Sequence, residues 1–260
     1  MIDTVIDIAR QAGTIIREGF GKQFDFEYKT NESNLVTEYD QKSEAFIITE
    51  IRKQFPGHDI LAEESGAHPA GSEYRWVIDP LDGTTNFAHG LPLFSVSIGV
   101  QKHGETICGA VYDVMQDTMY AAESGSGAFR NGNPIHVSTK NTLAHSLLVT
   151  GFPYTIAQNP HSAFEIFTAI TKQSRGIRRL GSAAIDFCYL AAGVFEAFWE
   201  VELHPWDMCP GKLLVEEAGG MVTDFTGKQT DIFTSHMVSS NRLVHDELIT
   251  IISQTLKEKQ

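Results

Sequence analysis

Apolar residues recur every three to four positions at the start of the chain. Ile2, Val5, Ile8, Ala9, Ala12, Ile15 and Ile16 share one helical face, and Gly19 and Gly21 close the run, so residues 2–20 read as an amphipathic helix. A second helix is predicted from Thr37 to Phe55. Thr37 is a suitable N-cap, Glu38 and Asp40 put acids in the first turn, and Pro56-Gly57 ends it. The texture then becomes strand-like. Ile60–Glu63, Trp76–Asp79, Ser95–Gln101, Thr106–Tyr112 and Thr118–Glu123 predict strands, with a tight turn at His103-Gly104 and a dense turn signal in Asn131-Gly132-Asn133-Pro134.

From about residue 145 helices alternate with short strands. Leu147–Thr150 predicts a buried strand, 161–173 and 182–192 predict helices, and Val194–Glu200 predicts a strand. A helix follows Pro205 and ends at Gly219-Gly220, then come a strand at Met221–Asp224 and a closing amphipathic helix at Leu243–Leu256. The expected organisation is an α+β half over 1–140 and an α/β half over 141–260. No low-complexity linker and no internal repeat separates them, so they are expected to pack tightly as one structural unit.

Composition narrows the classes. At 260 residues and 42% hydrophobic the chain is long enough for a sizeable core. A net charge of −13 disfavours direct contact with nucleic-acid phosphates, whereas acids gathered in a pocket would attract cations. Cys108, Cys188 and Cys209 are scattered and form no CxxC pair, which reads as reduced thiols in a cytoplasmic protein. No apolar run approaches the roughly 20 residues of a membrane span, and MIDTVIDIARQAG lacks the basic and apolar regions of a signal peptide.

The candidate chemistry begins in WVIDPLDGTTNFAHG, residues 76–90. A strand delivers Asp79, Pro80 withholds a ladder N–H, and Asp82 follows three residues later. A turn at Pro80 and Gly83 would bring both carboxylates to one side, where they repel unless a hard cation lies between them. Gly83-Thr84-Thr85-Asn86 reads as a helix start whose free N–H groups form an anion site. Adjacent cation and anion sites suit phosphoryl transfer. Glu63-Glu64 ends another strand, and Asp207 falls in the first turn of the helix after Pro205. DPLDG alone is also an ordinary turn composition, and an acid in a helix's first turn also complements the dipole. His204 reads as a rim or structural histidine, and no GxSxG elbow or Cys–His pair offers a side-chain nucleophile.

These segments resemble the inositol monophosphatase family over nearly the whole chain. WVIDPLDGTTNF resembles its first signature, LHPWDMCPGKLLVEEAGG its second, and LAEES its short acidic strand end. EYKTNESNLVTEYDQKSE resembles its lysine loop and following helix, and RRLGSAAIDFCYLAAGVFEAFWE its bacterial branch. The resemblance implies a layered αβαβα sandwich of the inositol monophosphatase and fructose-1,6-bisphosphatase type. It implies a lithium-sensitive phosphomonoesterase that uses Mg2+, two to three ions per site, with Mn2+ as a substitute and Li+ and Ca2+ as inhibitors.

By that resemblance Glu63, Asp79 and the carbonyl of Leu81 would hold a first metal, and Asp79, Asp82 and Asp207 a second. Glu63 would help hold a weaker third. Thr84, hydrogen-bonded to Asp40, would orient the attacking water, and Lys29 would lie near the metals on a loop that continues through polar Thr30–Asn34, expected to be flexible. Amides of Gly83 and Thr84 would hold the phosphate, with Asp82 and Asp207 beside it. Gly181, Ser182, Ala183 and Glu200 would face the sugar hydroxyls. Arg175, Arg178 and Arg179 precede Gly181 and are open to three uses: a second phosphate, a partner subunit, or salt bridges. The implied substrate is myo-inositol 1-phosphate or a similar small polyol phosphate. Fructose-1,6-bisphosphatase, histidinol-phosphate phosphatase and 3′(2′),5′-bisphosphate nucleotidase remain alternatives, as does a regulatory partnership with the transcription machinery. A homodimer is implied, with no membrane association.

Overall fold

The computed structural model describes residues 1–29 and 35–258; the polar loop expected at Thr30–Asn34 lies outside the described residues. Helix α1 (Ile2–Gly19) is followed by a hairpin of β1 (Phe26–Tyr28) and β2 (Leu35–Thr37), then by α2 (Glu38–Gln54). Thr37 caps α2 as its sequence suggests. Its hydroxyl accepts from the Tyr39 and Asp40 N–H groups, and the Asp40 carboxylate accepts from the Thr37 N–H at 2.8 Å. This reciprocal cap fixes Asp40, which is fully buried.

An eight-stranded sheet follows. Its strands are β3 (Asp59–Ala62), β4 (Gly66–His68) and β5 (Tyr74–Asp82), which leads into the short helix α3 (Thr84–Ala88), then β6 (Ser95–Lys102), β7 (Glu105–Asp113), β8 (Thr118–Glu123), β9 (Gly127–Arg130) and β10 (Asn133–Pro134). From β5 to β10 the sheet is an antiparallel meander, whereas β3 runs parallel to β5. Among the described residues, the rest of the chain builds a five-stranded mixed sheet and four α-helices: β11 (Leu147–Thr150), α4 (Ala163–Thr171), β12 (Gly176–Arg178), α5 (Ala183–Ala191), β13 (Ala197–Val201), α6 (Pro205–Glu217), β14 (Met221–Thr223), β15 (His236–Ser240) and α7 (His245–Lys257).

The alternation of side chains along each strand sorts the core into layers. Trp76, Ile78, Val96 and Ile98 turn to α1 and α2. Val77, Val111 and Tyr120 turn the other way, onto α5 and α6, which meet Phe198 and Met237 of the second sheet from above. Ala197, Trp199 and Val238 face outward to α4 and α7. The result is the αβαβα sandwich expected from the resemblance.

The close seating of α6 depends on two glycines. Gly99 of β6 pairs with Gly109 of β7. A Cβ on Gly99 would lie 2.4 Å from the Cys209 sulfur, and one on Gly109 would lie 2.7 Å from the Cβ of Pro210. Side chains there would lift α6, and with it Asp207, off the sheet.

Several expectations are corrected. The strand expected to stop at Asp79 continues to Asp82. The ladder pairs Asp79 with Ser97 and Asp82 with Ser95, so Pro80 and Leu81 of β5 together oppose the single Val96 of β6. This is a bulge, and it accommodates Pro80 without ending the strand. The strands β1, β2, β4, β9, β12 and β15 are additional, because runs of three to five residues carry too little periodicity to be read alone. Asn131-Gly132 does turn the chain, but Asn133–Pro134 pairs with β9. The helix expected from residue 161 begins at Ala163, after Asn159, His161 and Ser162 take left-handed φ values of 50°, 50° and 57°. The strand expected from Val194 begins at Ala197, and the helix expected from Leu243 at His245.

Candidate active site

A regular strand would send Asp79 and Asp82 to opposite faces, because their separation is odd. The extra residue of the β5 bulge restores them to one face, toward α5 and α6. Each is then held by a different backbone feature. Asp79 Oδ1 accepts from the Leu81 N–H at 3.0 Å. Asp82 Oδ2 sits at the N-terminus of α5, accepting from the Ala184 N–H at 2.8 Å and from the Ser182 hydroxyl. Asp207 lies in the first turn of α6, where its Oδ2 accepts from the His204 N–H at 2.7 Å. Each of these three carboxylates offers an oxygen within 4.8 Å of the others.

That grouping is electrostatically costly without a cation. Burial pushes the Asp79 carboxyl well above its ordinary range, and the charges of Glu63, Asp82 and Asp207 push it further. Asp207 is raised well above its ordinary range by burial and by Asp82. Burial raises Asp82 to about 6 even though Ser182 and Ala184 donate to its charged form. An all-oxygen donor set under this repulsion fits a hard divalent cation.

Glu63 follows β3 directly and belongs to the same acidic field without joining the triplet. Its Oε1 accepts from Lys29 Nζ at 2.8 Å, and Lys29 also bridges to Glu64. Burial opposes protonation of Lys29, yet Glu63 and Glu64 outweigh it and the ammonium is strengthened. Glu64 is pushed up to about 7 by burial and by Glu63.

Gly83 turns the chain from β5 into α3 at φ 98°, a left-handed value suited to glycine. This turn aims Thr84 back at α2. Thr84 Oγ1 donates to Asp40 Oδ1 at 2.9 Å and lies 3.1 Å from the Leu81 carbonyl. Asp40 is raised to about 6, burial overcoming the bonds from Thr37.

A cleft of about 750 Å3 opens over these groups. Lys29, Glu63, Asp79, Leu81, Asp82, Gly83, Thr84 and Asp207 line one part of it, and Gly181, Ser182, Ala183 and Glu200 another. Asp40 lies behind Thr84, outside the lining. Glu200, at the end of β13, is pushed up to about 8 by burial, with Arg179 opposing the shift. Of the three arginines Arg179 reaches the cleft; Arg175 and Arg178 do not line it. His204 stands exposed at the rim, its ring stacked on Trp206 with centroids 4.9 Å apart. The three cysteines are buried and unpaired. Two contributors escaped sequence reading. Asp186 hides in the apolar run AAIDFCYLA, where an acid amid core residues was the only signal, and Tyr154 lies on a loop without periodicity.

A layered sandwich with a largely buried carboxylate triplet under such a cleft defines a class, the phosphomonoesterases that work through acid-held metal ions. Residues 1–257 match the model of the inositol monophosphatase family. The phosphatase IMPL1, chloroplastic, of Arabidopsis thaliana is 41% identical over 266 residues, covering 98% of this chain and 71% of that protein. The Nus factor SuhB of Pasteurella multocida is 39% identical, covering 100% of this chain and 98% of its own. The solved structure of the Thermotoga maritima IMPase superposes with a TM-score of 0.90 at 38% identity, over 98% of each chain. This chain belongs to the inositol monophosphatase family.

Proposed function

We propose that the protein hydrolyses myo-inositol 1-phosphate or a similar small polyol phosphate with Mg2+. The observation that carries the reading is the Asp79, Asp82 and Asp207 triplet, with oxygens within 4.8 Å, beneath the cleft. Glu63, Asp79, Asp82, Asp207 and the Leu81 carbonyl would hold two to three ions. Bound Mg2+ supplies charge neutralisation and a lowered pKa for water; Mn2+ would substitute, and Li+ and Ca2+ would inhibit.

The chain's own groups then divide the work. Thr84 commits its proton to Asp40 at 2.9 Å and presents a lone pair that orients the attacking water. Asp40, raised to about 6, can take up a proton passed through Thr84 near neutral pH. The amides of Gly83 and Thr84 donate to the phosphate oxygens. Asp207 borders the leaving alcohol. Gly181, Ser182, Ala183 and Glu200 bind the sugar hydroxyls, and Lys29 tethers the Glu63 carboxylate. The site draws on both the 1–140 and the 141–260 halves. A cytoplasmic homodimer is the expected form; no helix among the described residues is long and apolar enough to cross a membrane.

Phosphate release should be measured with and without Mg2+ on inositol 1-phosphate, fructose 1,6-bisphosphate, histidinol phosphate and adenosine 3′,5′-bisphosphate. Mg2+-dependent preference for inositol 1-phosphate is expected. Preference for a bisphosphate or for histidinol phosphate would replace the substrate, and no release from folded, Mg2+-loaded protein would sink the named set. A second reading is a regulatory partnership, favoured by full-length similarity to a protein named as a Nus factor. With a net charge of −13 its partner would be a basic protein surface. Asp82→Asn separates the two readings, since it should abolish turnover and spare such a complex.

A further inference from the structure

The site carboxylates differ in how they are satisfied. Asp40, Asp79, Asp82 and Asp207 each accept from a named N–H or hydroxyl. Asp186 does not: it is 1% exposed, and its Oδ1 has no hydrogen-bond partner. A carboxyl oxygen buried without a donor costs about 1–3 kcal/mol and is rare in folded proteins. Asp186 also lines the cleft, on the first turn of α5 just beyond Gly181, Ser182 and Ala183. Its neighbours there are Glu200 and Arg179, whose charges it feels.

We infer that Asp186 is a specificity-determining residue that, beside Glu200, accepts a hydroxyl hydrogen from the alcohol part of the substrate. The inference rests on the polyol-phosphate reading above. The geometry favours it because the unpartnered oxygen belongs to the helix whose N-terminal residues border the alcohol end of the cleft. A hydroxyl donor entering there satisfies a buried acceptor, whereas an ester lacking hydroxyls leaves it unpaired. Sites of this kind discriminate against analogues without the donor more strongly than apolar pockets do. Burial and the neighbouring Glu200 raise the Asp186 carboxyl well above its ordinary range. An asparagine keeps an acceptor oxygen in the same place.

The test compares inositol 1-phosphate with p-nitrophenyl phosphate, which carries no hydroxyl donor, on Mg2+-loaded wild type, Asp186→Ala and Asp186→Asn. Expected is a fall of about 10- to 100-fold in kcat/KM for inositol 1-phosphate in Asp186→Ala, the size of a lost bond to a buried polar group. Turnover of p-nitrophenyl phosphate should hold within about twofold, and Asp186→Asn should recover most of the loss. If Asp186→Ala fails to fold, Asp186→Leu, which fills the same space without an acceptor, takes its place under the same expectations. Equal loss on both esters, or none on either, overturns the assignment while leaving the phosphatase reading intact. No phosphate release from either ester by the wild type overturns both.

Discussion

Asp79 is a proposed metal ligand whose burial among like charges is unfavourable to the fold. It is buried among Glu63, Asp82 and Asp207, and each neighbour makes its charge harder to keep. Asp79→Asn removes that repulsion, so the metal-free protein should gain about 1–2 kcal/mol, readable as a thermal midpoint several degrees higher. The same variant should lose the midpoint rise that Mg2+ produces and at least about 100-fold in phosphate release. A metal-free midpoint below wild type would contradict the account. Glu200 allows a cleaner pH test. Its carboxyl rises from 4.5 to about 8 on folding, so the fold favours its protonated form. Its contribution to stability is full below pH 4.5 and is lost as pH rises toward 8. Metal-free wild type should therefore lose stability over that window relative to Glu200→Gln. Melting curves across the window in chelator would read the difference, and parallel curves would contradict it.

At the scale of elements, the geometry of the site is set by a bulge, a cap and a glycine pair. The Thr37–Asp40 cap joins the start of α2 to Thr84. Thr37→Ala should cost about 1 kcal/mol of stability and lower kcat more than it changes KM, because Asp40 loses two of its bonds. The Gly99–Gly109 pair governs how near α6 comes to the sheet. Gly109→Ala should destabilise by about 1–3 kcal/mol through overpacking against Pro210. It should also weaken Mg2+ binding by displacing Asp207, measured by calorimetry on folded protein. An unchanged affinity would mean that α6 tolerates the extra methyl without moving. The caps were legible in the sequence because Thr37 and Asp40 are three residues apart and interact locally. The bulge was not, because it exists only in the register between β5 and β6.

For the whole molecule, binding of a cation to the native state alone should appear as stability. At free Mg2+ one hundred times the dissociation constant the gain is about 2.7 kcal/mol, several degrees for a chain of this size. Chelator should reverse it, and a midpoint indifferent to Mg2+ would count against the triplet as a metal site. The layered packing explains why local sites and global stability are linked in this way. Asp82 is anchored on α5 and Asp207 rides on α6, and these two helices fill the middle layer between the sheets.

Amphipathic periodicity, capping residues and the Asp-Pro-Leu-Asp-Gly string are local properties. The sequence by itself therefore determined the long helices, most of the central strands and which carboxylates are the candidates for the chemistry. The resemblance of its motifs extended this to the layered fold. Only tertiary structure decided that Asp79 and Asp82 share a face, since that depends on the extra residue between the Asp79–Ser97 and Asp82–Ser95 pairs. It also decided that Lys29 spans Glu63 and Glu64, and that Asp186 of an apolar helix ends at the cleft without a partner. These depend on pairings between residues far apart in the chain, whose geometry no local spacing encodes.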